Sequence, residues 1–450
     1  MTSISTDNTV NAASTAVAGG MRTFSVLALG QFVSLLGSSL TTFALGIWIY
    51  QVTKSVSILS WVILAASLPG VMIAPLAGTI VDRWNRRTVM LLSDLVAGIC
   101  TVLVAVMVIR GQMHHTHIFV LAIVNSLAGA FQEPAYSASV PLLVPKRHLG
   151  RASGFVQLSQ GLARIVTPVL AGYLLVASGI GLILLIDVAT FLFAVATLAM
   201  ISIPSPAREV TEVTSARDLV HDATKAIRFL WERTGLVSLL LLFTCVNFVV
   251  AFVNVLYIPL VLSFATEDVL GTVLTMGGVG MLLGSIACTA LGTPRRKIVT
   301  IMGLLFLGGI VIAATGTRES AILIASAGFL MMLILPVLQA TSQVLWQTKV
   351  PPAMQGRVFA LRRTLAQCSL PAAYLAAGPL ADHVFEPLMR GDSRLAMSLG
   401  SWVGHGEGRG IALLFVAMGL SGCFLAVLGF AHPRIRNIEK ELPDQIGEGK

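Results

Sequence analysis

The amino-acid sequence predicts an all-α membrane protein of twelve transmembrane helices, arranged as two six-helix halves with pseudo-two-fold symmetry. Three observations support this fold class: an unusually apolar composition, twelve apolar runs of membrane-spanning length, and a repeat between the halves of the chain. Of the 450 residues, 56% are hydrophobic and 11% are charged, whereas a soluble domain carries about 25% charged residues. This composition excludes a soluble protein and leaves too little polar sequence for a catalytic domain, so we expect no enzyme.

Twelve apolar runs are long enough to cross a bilayer, since a spanning helix needs about 20 apolar residues. Charged residues, proline or glycine mark the ends of these runs. The predicted spans cover residues 23–51, 56–81, 88–109, 117–142, 152–177, 180–203, 236–264, 269–292, 298–315, 320–347, 356–381 and 410–431.

The basic residues indicate how the spans are oriented. With the N-terminus inside, most of the 30 lysines and arginines fall in inner segments, a few fall in outer loops, and Arg164 lies within a span. Because short cytoplasmic loops retain positive charge, both termini are expected in the cytoplasm. The net charge of +9 therefore reflects topology, and we expect no nucleic-acid partner.

A repeated motif divides the chain into two halves. Val144-Pro145-x-x-x-x-Gly150-Arg151, between spans 4 and 5, recurs as Val350-Pro351-x-x-x-x-Gly356-Arg357 between spans 10 and 11. Parallel six-span repeats around a central cavity are typical of alternating-access transporters. The predicted organisation is a cytoplasmic tail (1–22), an N-terminal six-helix bundle (23–203), a cytoplasmic linker (204–235), a C-terminal six-helix bundle (236–431) and a cytoplasmic tail (432–450).

The turn between spans 2 and 3 reads Gly78-Thr-Ile-Val-Asp82-Arg83-Trp-Asn85-Arg86-Arg87. It resembles the signature loop of the major facilitator superfamily, Gly-x-x-x-Asp-Arg-x-Gly-Arg-Lys/Arg. Asn85 stands where the family usually has glycine, and asparagine also tolerates a left-handed backbone.

The resemblance implies that this turn is part of a cytoplasmic gate. The Asp82 carboxylate would meet a helix N-terminus and the arginines of adjacent loops in one conformation and release them in another. The alternative is that Asp82 and Arg83 only mark the membrane edge. The predicted gating residues are Gly78, Asp82, Arg83, Arg86, Arg87, Arg151 and Arg357.

Three other stretches resemble the branch of this superfamily that contains macrolide-efflux proteins and enterobactin-type siderophore exporters. They are Gly30-Gln31-Phe-Val-Ser34-Leu-Leu-Gly37-Ser38, Pro134-Ala135-Tyr136 with Leu143-Val144-Pro145, and Gln160-Gly161 through Pro168-x-x-x-Gly172. The resemblance implies a secondary active transporter of the bacterial inner membrane. Its expected activity is proton-coupled efflux of a hydrophobic or amphipathic small molecule (a drug, a macrolide-like compound or a siderophore) by alternating access.

Asp94, Glu133 and Asp187 are the acidic residues inside the predicted spans. A charge at the bilayer centre costs about 2.5–3.5 kcal/mol, so such residues usually face a cavity or a partner. Glu133 and Arg164 lie at similar depth on adjacent spans, which predicts either a proton-coupling pair or a static ion pair. Asp187 is a second proton site, and Asp94 is expected either to carry a proton or to bond to the turn between spans 2 and 3.

Polar side chains recur at helical spacing in spans 1, 7 and 10. Such stripes suit an amphipathic substrate, although hydrogen bonds between helices would use the same residues. The predicted substrate-binding residues are Gln31, Ser34, Ser38, Asn247, Asn254, Gln339 and Gln343.

Several classes of site are not expected. The five cysteines lie within apolar runs and suit packing, and the cluster at His114, His115 and His117 suits a solvated turn better than a metal site. The sequence contains no nucleotide-binding GxxxxGK[ST] motif. We therefore expect no cofactor and no metal, and a monomer whose partners are protons, an amphipathic small molecule and the lipid bilayer. The alternatives are a uniporter, an importer, a lysolipid flippase or a non-transporting membrane receptor.

Overall fold

The computed structural model describes residues 20–144, 149–203, 224, 227–291, 294–351, 354–390, 404 and 406–441. Within these ranges the first half of the chain forms α1 (Gly20–Thr53), α2 (Val56–Arg83), α3 (Arg86–Ile109), α4 (His115–Leu143) and α5 (Leu149–Met200). The predicted tails and most of the predicted linker lie outside the described residues.

The second half begins with α6 (Thr234–Leu262), α7 (Glu267–Leu291), α8 (Lys297–Thr315) and α9 (Ala321–Lys349). It continues with α10 (Gln355–Gln367), α11 (Leu370–Pro379), a π-helix (Leu380–Phe385) and α12 (Glu386–Arg390). The described part ends with α13 (Arg409–Ala431) and two short helices, α14 (Pro433–Arg436) and α15 (Ile438–Glu441).

Ten of the described helices are long and apolar enough to cross a membrane. The 52-residue α5 covers the fifth and sixth predicted spans, with a non-helical residue, Gly179 (φ 71°, ψ −177°), between them. The eleventh predicted span is divided among α10, α11 and the π-helix, so no single long helix occupies it. The all-helical membrane fold is therefore confirmed, whereas the count of twelve spans remains a prediction.

The chain divides into two compact units, Met1–Trp48 with Ala65–Glu209 and Ile49–Leu64 with Val210–Lys450. Each unit has its own buried apolar core, built around Leu27, Met90 and Leu143 in the first and around Leu239 and Trp346 in the second.

Both units also present large apolar side chains on their outer faces. Met72 (72% exposed) and Leu185 (64%) belong to the first unit, and Phe424 (66%) belongs to the second. Contact of such apolar surface with water is unfavourable, whereas contact with the hydrocarbon core of a bilayer is not. The distribution of apolar residues is thus that of a protein surrounded by lipid.

Within the second unit, α7 and α9 pack closely because α7 presents glycines to α9. A Cβ atom placed on Gly280 or Gly284 would meet the backbone carbonyl oxygen of Phe329 or Leu333. Small residues at such positions let two helix backbones approach each other, so this glycine run serves packing within one chain.

Candidate functional site

The first unit contains a buried carboxylate, Asp94, that is held by two glutamines. Asp94 lies in α3 and is 2% exposed. Gln31 of α1 donates from Nε2 to Oδ2 of Asp94 at 3.1 Å, and Gln132 of α4 donates to Oδ1. Gln132 also donates to Oε1 of Gln31 at 3.1 Å. The three side chains close a hydrogen-bonded triangle across three helices.

Among the described residues, the hydrogen-bond partners of Asp94 are Gln31 and Gln132, and the described side chains of the turn after α2 are not among them. Sequence reasoning missed Gln132, although a glutamine beside Glu133 inside an apolar span is itself a signal. Gln31, which the sequence predicts to contact substrate, bonds directly to this carboxylate.

A second carboxylate, Asp187 of α5, is also 2% exposed and is held by hydroxyl groups. Ser38 of α1 donates to Oδ1 at 3.2 Å, and Thr101 of α3 donates to Oδ2 at 3.0 Å. Among the described residues, neither Asp94 nor Asp187 forms an ion pair with a basic side chain. The first unit therefore contains two buried carboxyl groups whose partners are neutral.

Glycines of α1 bring that helix close to α5 beside Asp187. A Cβ on Gly37 would meet Thr190 Oγ1 and would lie 2.9 Å from Asp187 Oδ1, and a Cβ on Gly30 would meet Thr197. The span 1 motif thus combines glycines that permit contact with polar residues, Gln31 and Ser38, that reach the two carboxylates.

The structure does not form the predicted ion pair between Glu133 and Arg164. Both side chains are exposed, and the ion pairs among described residues do not include them. Depth along adjacent helices fixes how far each residue lies from the helix ends but not which way it points. The adjacent Gln132 is the residue that reaches into the triangle.

The signature turn is held within the first unit by its arginines. Arg86 Nη1 donates to the carbonyl of Ala138 in α4 at 2.7 Å. Arg87 donates to the carbonyls of Leu198 and Ala199, in the last turn of α5, at 3.1 and 2.7 Å. Cations at a helix C-terminus satisfy unpaired carbonyls and favour the helix dipole.

Asn85 takes the N-cap position of α3 rather than a left-handed conformation. Its φ and ψ are −65° and 114°, and its side-chain oxygen accepts from Arg87 N at 3.0 Å. The family's usual glycine is therefore replaced here by a capping residue. Gly78 has open space around it, and the side chains of Asp82, Arg83, Arg151 and Arg357 lie outside the described residues.

In the second unit, the predicted substrate residue Gln343 of α9 accepts a hydrogen bond from Arg362 Nη1 of α10 at 3.1 Å. Arg362 Nη2 donates to Ser342 Oγ at 3.0 Å, and the guanidinium carbon lies 4.9 Å from the centroid of the Trp346 ring. Arg362 was not predicted from the sequence as a site residue, because its charge is counted there with the basic residues of the inner segments.

Asn247 of α6 stabilises the break between α10 and α11. Its Nδ2 donates to the carbonyl of Ala366 at 2.7 Å, and Thr244 donates to that of Leu365 at 3.1 Å. Ser369 Oγ in turn donates to the carbonyl of Thr244 at 2.9 Å. The remaining predicted substrate residues are half-buried or exposed: Ser34, Asn254 and Gln339.

A widely open groove of about 340 Å³ lies beside this break in the second unit. Aromatic, methionine and aliphatic side chains form most of its wall. Its lining residues are Thr244, Cys245, Phe248, Val249, Ser369, Met418, Ser421, Phe424 and Leu425.

Asp382 of the π-helix caps the N-terminus of α2. Its carboxylate accepts from Ser55 Oγ at 2.7 Å, Val56 N at 3.0 Å and Ser57 N at 2.9 Å. Residues Ile49–Leu64 accordingly group with the second compact unit. No local pattern could have revealed this cap, because the acceptor and the helix start lie far apart in the sequence.

Ten long apolar helices in the described ranges and many exposed apolar side chains are those of a multi-pass membrane protein. The Major Facilitator Superfamily model matches residues 27–373, and the chain belongs to this superfamily.

Among its relatives, macrolide efflux protein A of Streptococcus pyogenes is 26% identical over 365 residues, which cover 79% of this chain and 88% of that protein. The multidrug efflux pump Tap of Mycolicibacterium fortuitum is 23% identical over 417 residues, covering 90% and 94% of the two chains.

Solved structures share the fold. The nucleoside transporter NupG aligns with a TM-score of 0.65 at 13% identity, covering 92% of this chain and 100% of that one. The D-xylose-proton symporter aligns with a TM-score of 0.62 at 14% identity, covering 95% and 98%.

Proposed function

We propose that this transporter exports a hydrophobic or amphipathic small molecule in exchange for protons, by alternating access in the bacterial inner membrane. The names of its relatives, macrolide efflux protein and multidrug efflux pump, support efflux and this substrate class. The observation that carries proton coupling is Asp94, which is 2% exposed and held by two neutral amides.

The triangle around Asp94 links a proton to the substrate-facing helix. An ionised carboxylate accepts hydrogen bonds from both amides, whereas a protonated one also donates a hydrogen bond. Protonation therefore requires Gln31 or Gln132 to reorient. Because Gln31 belongs to the polar face of α1 predicted to contact substrate, a change in the charge of Asp94 would alter the substrate site.

Asp187 provides a second site of the same design. Ser38, also on that face of α1, donates to Asp187 at 3.2 Å, so substrate bound against α1 competes with the carboxylates for polar groups. Glu133 remains a candidate for delivering protons, because its exposed side chain lies one helix position from Gln132. Arg164, exposed on the adjoining α5, would act on that carboxylate only through its positive charge.

Proton release from everted membrane vesicles tests the proposal. With an acidic interior imposed, addition of a macrolide or a cationic dye should dissipate the gradient in vesicles that contain the wild-type protein. Asp94→Asn should abolish this response, and Asp187→Asn and Glu133→Gln should reduce it if those groups share the pathway. Asp268→Asn, which neutralises an exposed carboxylate at the start of α7, should respond as wild type does.

The outcomes distinguish the alternatives. A wild-type protein that moves substrate without dissipating the gradient would be a uniporter, and proton coupling would be rejected. Equal responses of wild type and Asp94→Asn would mean that Asp187 or Glu133, rather than Asp94, carries the coupled proton. Absence of any response would favour an importer, a lysolipid flippase or a receptor.

The same proposal includes the gate at the signature turn. Asp82, with Arg83 beside it, would release and recapture Arg151 and Arg357 as the cytoplasmic side opens and closes. Arg86 and Arg87 would keep the turn in place through the carbonyls that they bind at the ends of α4 and α5.

A further inference from the structure

Arg362 is a cation near the start of the eleventh predicted span (356–381), in α10, which is not one of the ten described helices long and apolar enough to cross a membrane. It is the eighth residue of α10, which places it about 10 Å from the start of that helix, and its side chain is half-buried. Charged side chains in spans usually pair with an opposite charge or face a cavity, because burying them is costly.

The contacts that Arg362 makes with other described residues are neutral. Nη1 donates to Gln343 and Nη2 donates to Ser342, and the guanidinium group lies over the ring of Trp346. Ser342 is 2% exposed and Trp346 is fully buried. Among the described residues, no carboxylate forms an ion pair with Arg362.

Another buried arginine in the same unit shows the usual solution. Arg409 is 3% exposed and pairs with Glu319. Arg362 is oriented by three side chains but has no such partner in the part of the chain that the structure describes. A guanidinium group has five N–H donors, and the contacts with Gln343 and Ser342 use two of them.

We propose that Arg362, oriented by Ser342, Gln343 and Trp346, binds the anionic group of an amphipathic ligand. A carboxylate, sulfonate or phosphate accepts paired hydrogen bonds from a planar guanidinium. The inference rests on the proposed function and adds amphiphiles that carry a negative charge to the substrates that it predicts. The predicted stripe on α9, in which Gln339 lies one turn from Gln343, would bind the polar part beside that charge.

Two sources can supply this anionic group, a free substrate or the headgroup of an anionic lipid. Both present the same chemistry to Arg362. They differ in whether the charge arrives with a soluble ligand or with the surrounding bilayer.

Binding of a matched pair of probes tests the site without requiring transport. N-dansyl-11-aminoundecanoic acid and its methyl ester differ in charge and by one methyl group, and their fluorescence reports binding to the purified full-length protein in a neutral detergent. Wild type should bind the acid about tenfold more tightly than the ester, as one charge-assisted interaction allows. Arg362→Gln should remove this preference by weakening binding of the acid.

Two further variants separate the site from general effects. Arg362→Lys retains the charge and should keep part of the preference for the acid. Arg363→Gln removes the charge of the exposed neighbouring residue and should keep all of it. A wild-type protein without preference, or an Arg362→Gln variant that retains the preference, would overturn the inference and leave Arg362 as a structural link between α9 and α10.

Reconstitution into phosphatidylcholine vesicles, with or without phosphatidylglycerol, identifies the source. Competition by phosphatidylglycerol against the acid in wild type but not in Arg362→Gln supports a lipid headgroup at this site. Unchanged binding of the acid in both lipids supports a free anionic substrate. If wild type binds the acid and the ester equally but its vesicles still release protons when substrate is added, this inference alone is rejected. If wild-type vesicles release no protons, the proposed function is rejected.

Discussion

Gln132 illustrates how single residues decide the chemistry of this protein. Its amide donates both to Asp94 and to Gln31, so one side chain orients the carboxylate and its second donor together. Hydrogen bonds to charged groups contribute about 1.5–3 kcal/mol each. Removal of this amide should therefore affect stability and coupling at once.

Gln132→Leu tests this role. The variant should lose about 1.5–3 kcal/mol of stability and most of its substrate-dependent proton release, because Asp94 would keep only the Gln31 amide as a hydrogen-bond donor. Thermal unfolding in detergent and the vesicle assay measure the two effects. Gln160→Leu, at an exposed position of α5, is the matched control, and equal behaviour of the two variants would show that the triangle has no functional role.

Among the contacts between whole helices, the packing of α1 against α5 depends on Gly37. Alanine is favoured over glycine in a helix by about 0.5–1 kcal/mol, so Gly46→Ala, at a position with open space, should stabilise the protein slightly. Gly37→Ala should instead destabilise it by about 1–3 kcal/mol, because the new methyl group would meet Thr190 and Asp187. Unfolding midpoints that move in the same direction would contradict this account.

The Asp382 cap on the N-terminus of α2 is a second contact between helices. Asp382→Ala removes the acceptor for the backbone amides of Val56 and Ser57, and loss of an N-cap costs about 0.5–2 kcal/mol. Hydrogen exchange at these two amides should become faster in the variant. Asp268→Ala should leave their exchange unchanged, and an unaltered rate in Asp382→Ala would mean that another group caps the helix.

Orientation in the bilayer is a property of the whole molecule. Because positive charge is retained on the cytoplasmic side, the C-terminus is expected in the cytoplasm. A fluorescent protein fused after Lys450 should therefore fold there and fluoresce. Alkaline phosphatase inserted at Gly111, in the turn between α3 and α4, should be active because that turn is expected outside. If alkaline phosphatase fused at the C-terminus were active instead, the predicted orientation would be wrong.

Much of the fold follows from local sequence, and much of the site does not. The positions of Asp94 and Asp187 within spans could be read from hydropathy, and Gln31 and Ser38 from their spacing. Their mutual contacts could not, because hydropathy does not specify the rotation of each helix about its axis. For the same reason Glu133 and Arg164, predicted at similar depth, do not pair in the described structure.

Composition, run length and one local motif are enough to identify an apolar, helical, multi-pass membrane protein of the major facilitator superfamily, because each of these properties is local in the sequence. Packing of the helices is needed to show which polar groups meet: the glutamines at Asp94, the hydroxyls at Asp187, the neutral contacts of Arg362 and the Asp382 cap on α2. Each of these contacts joins residues from different helices, and only packing brings such residues together.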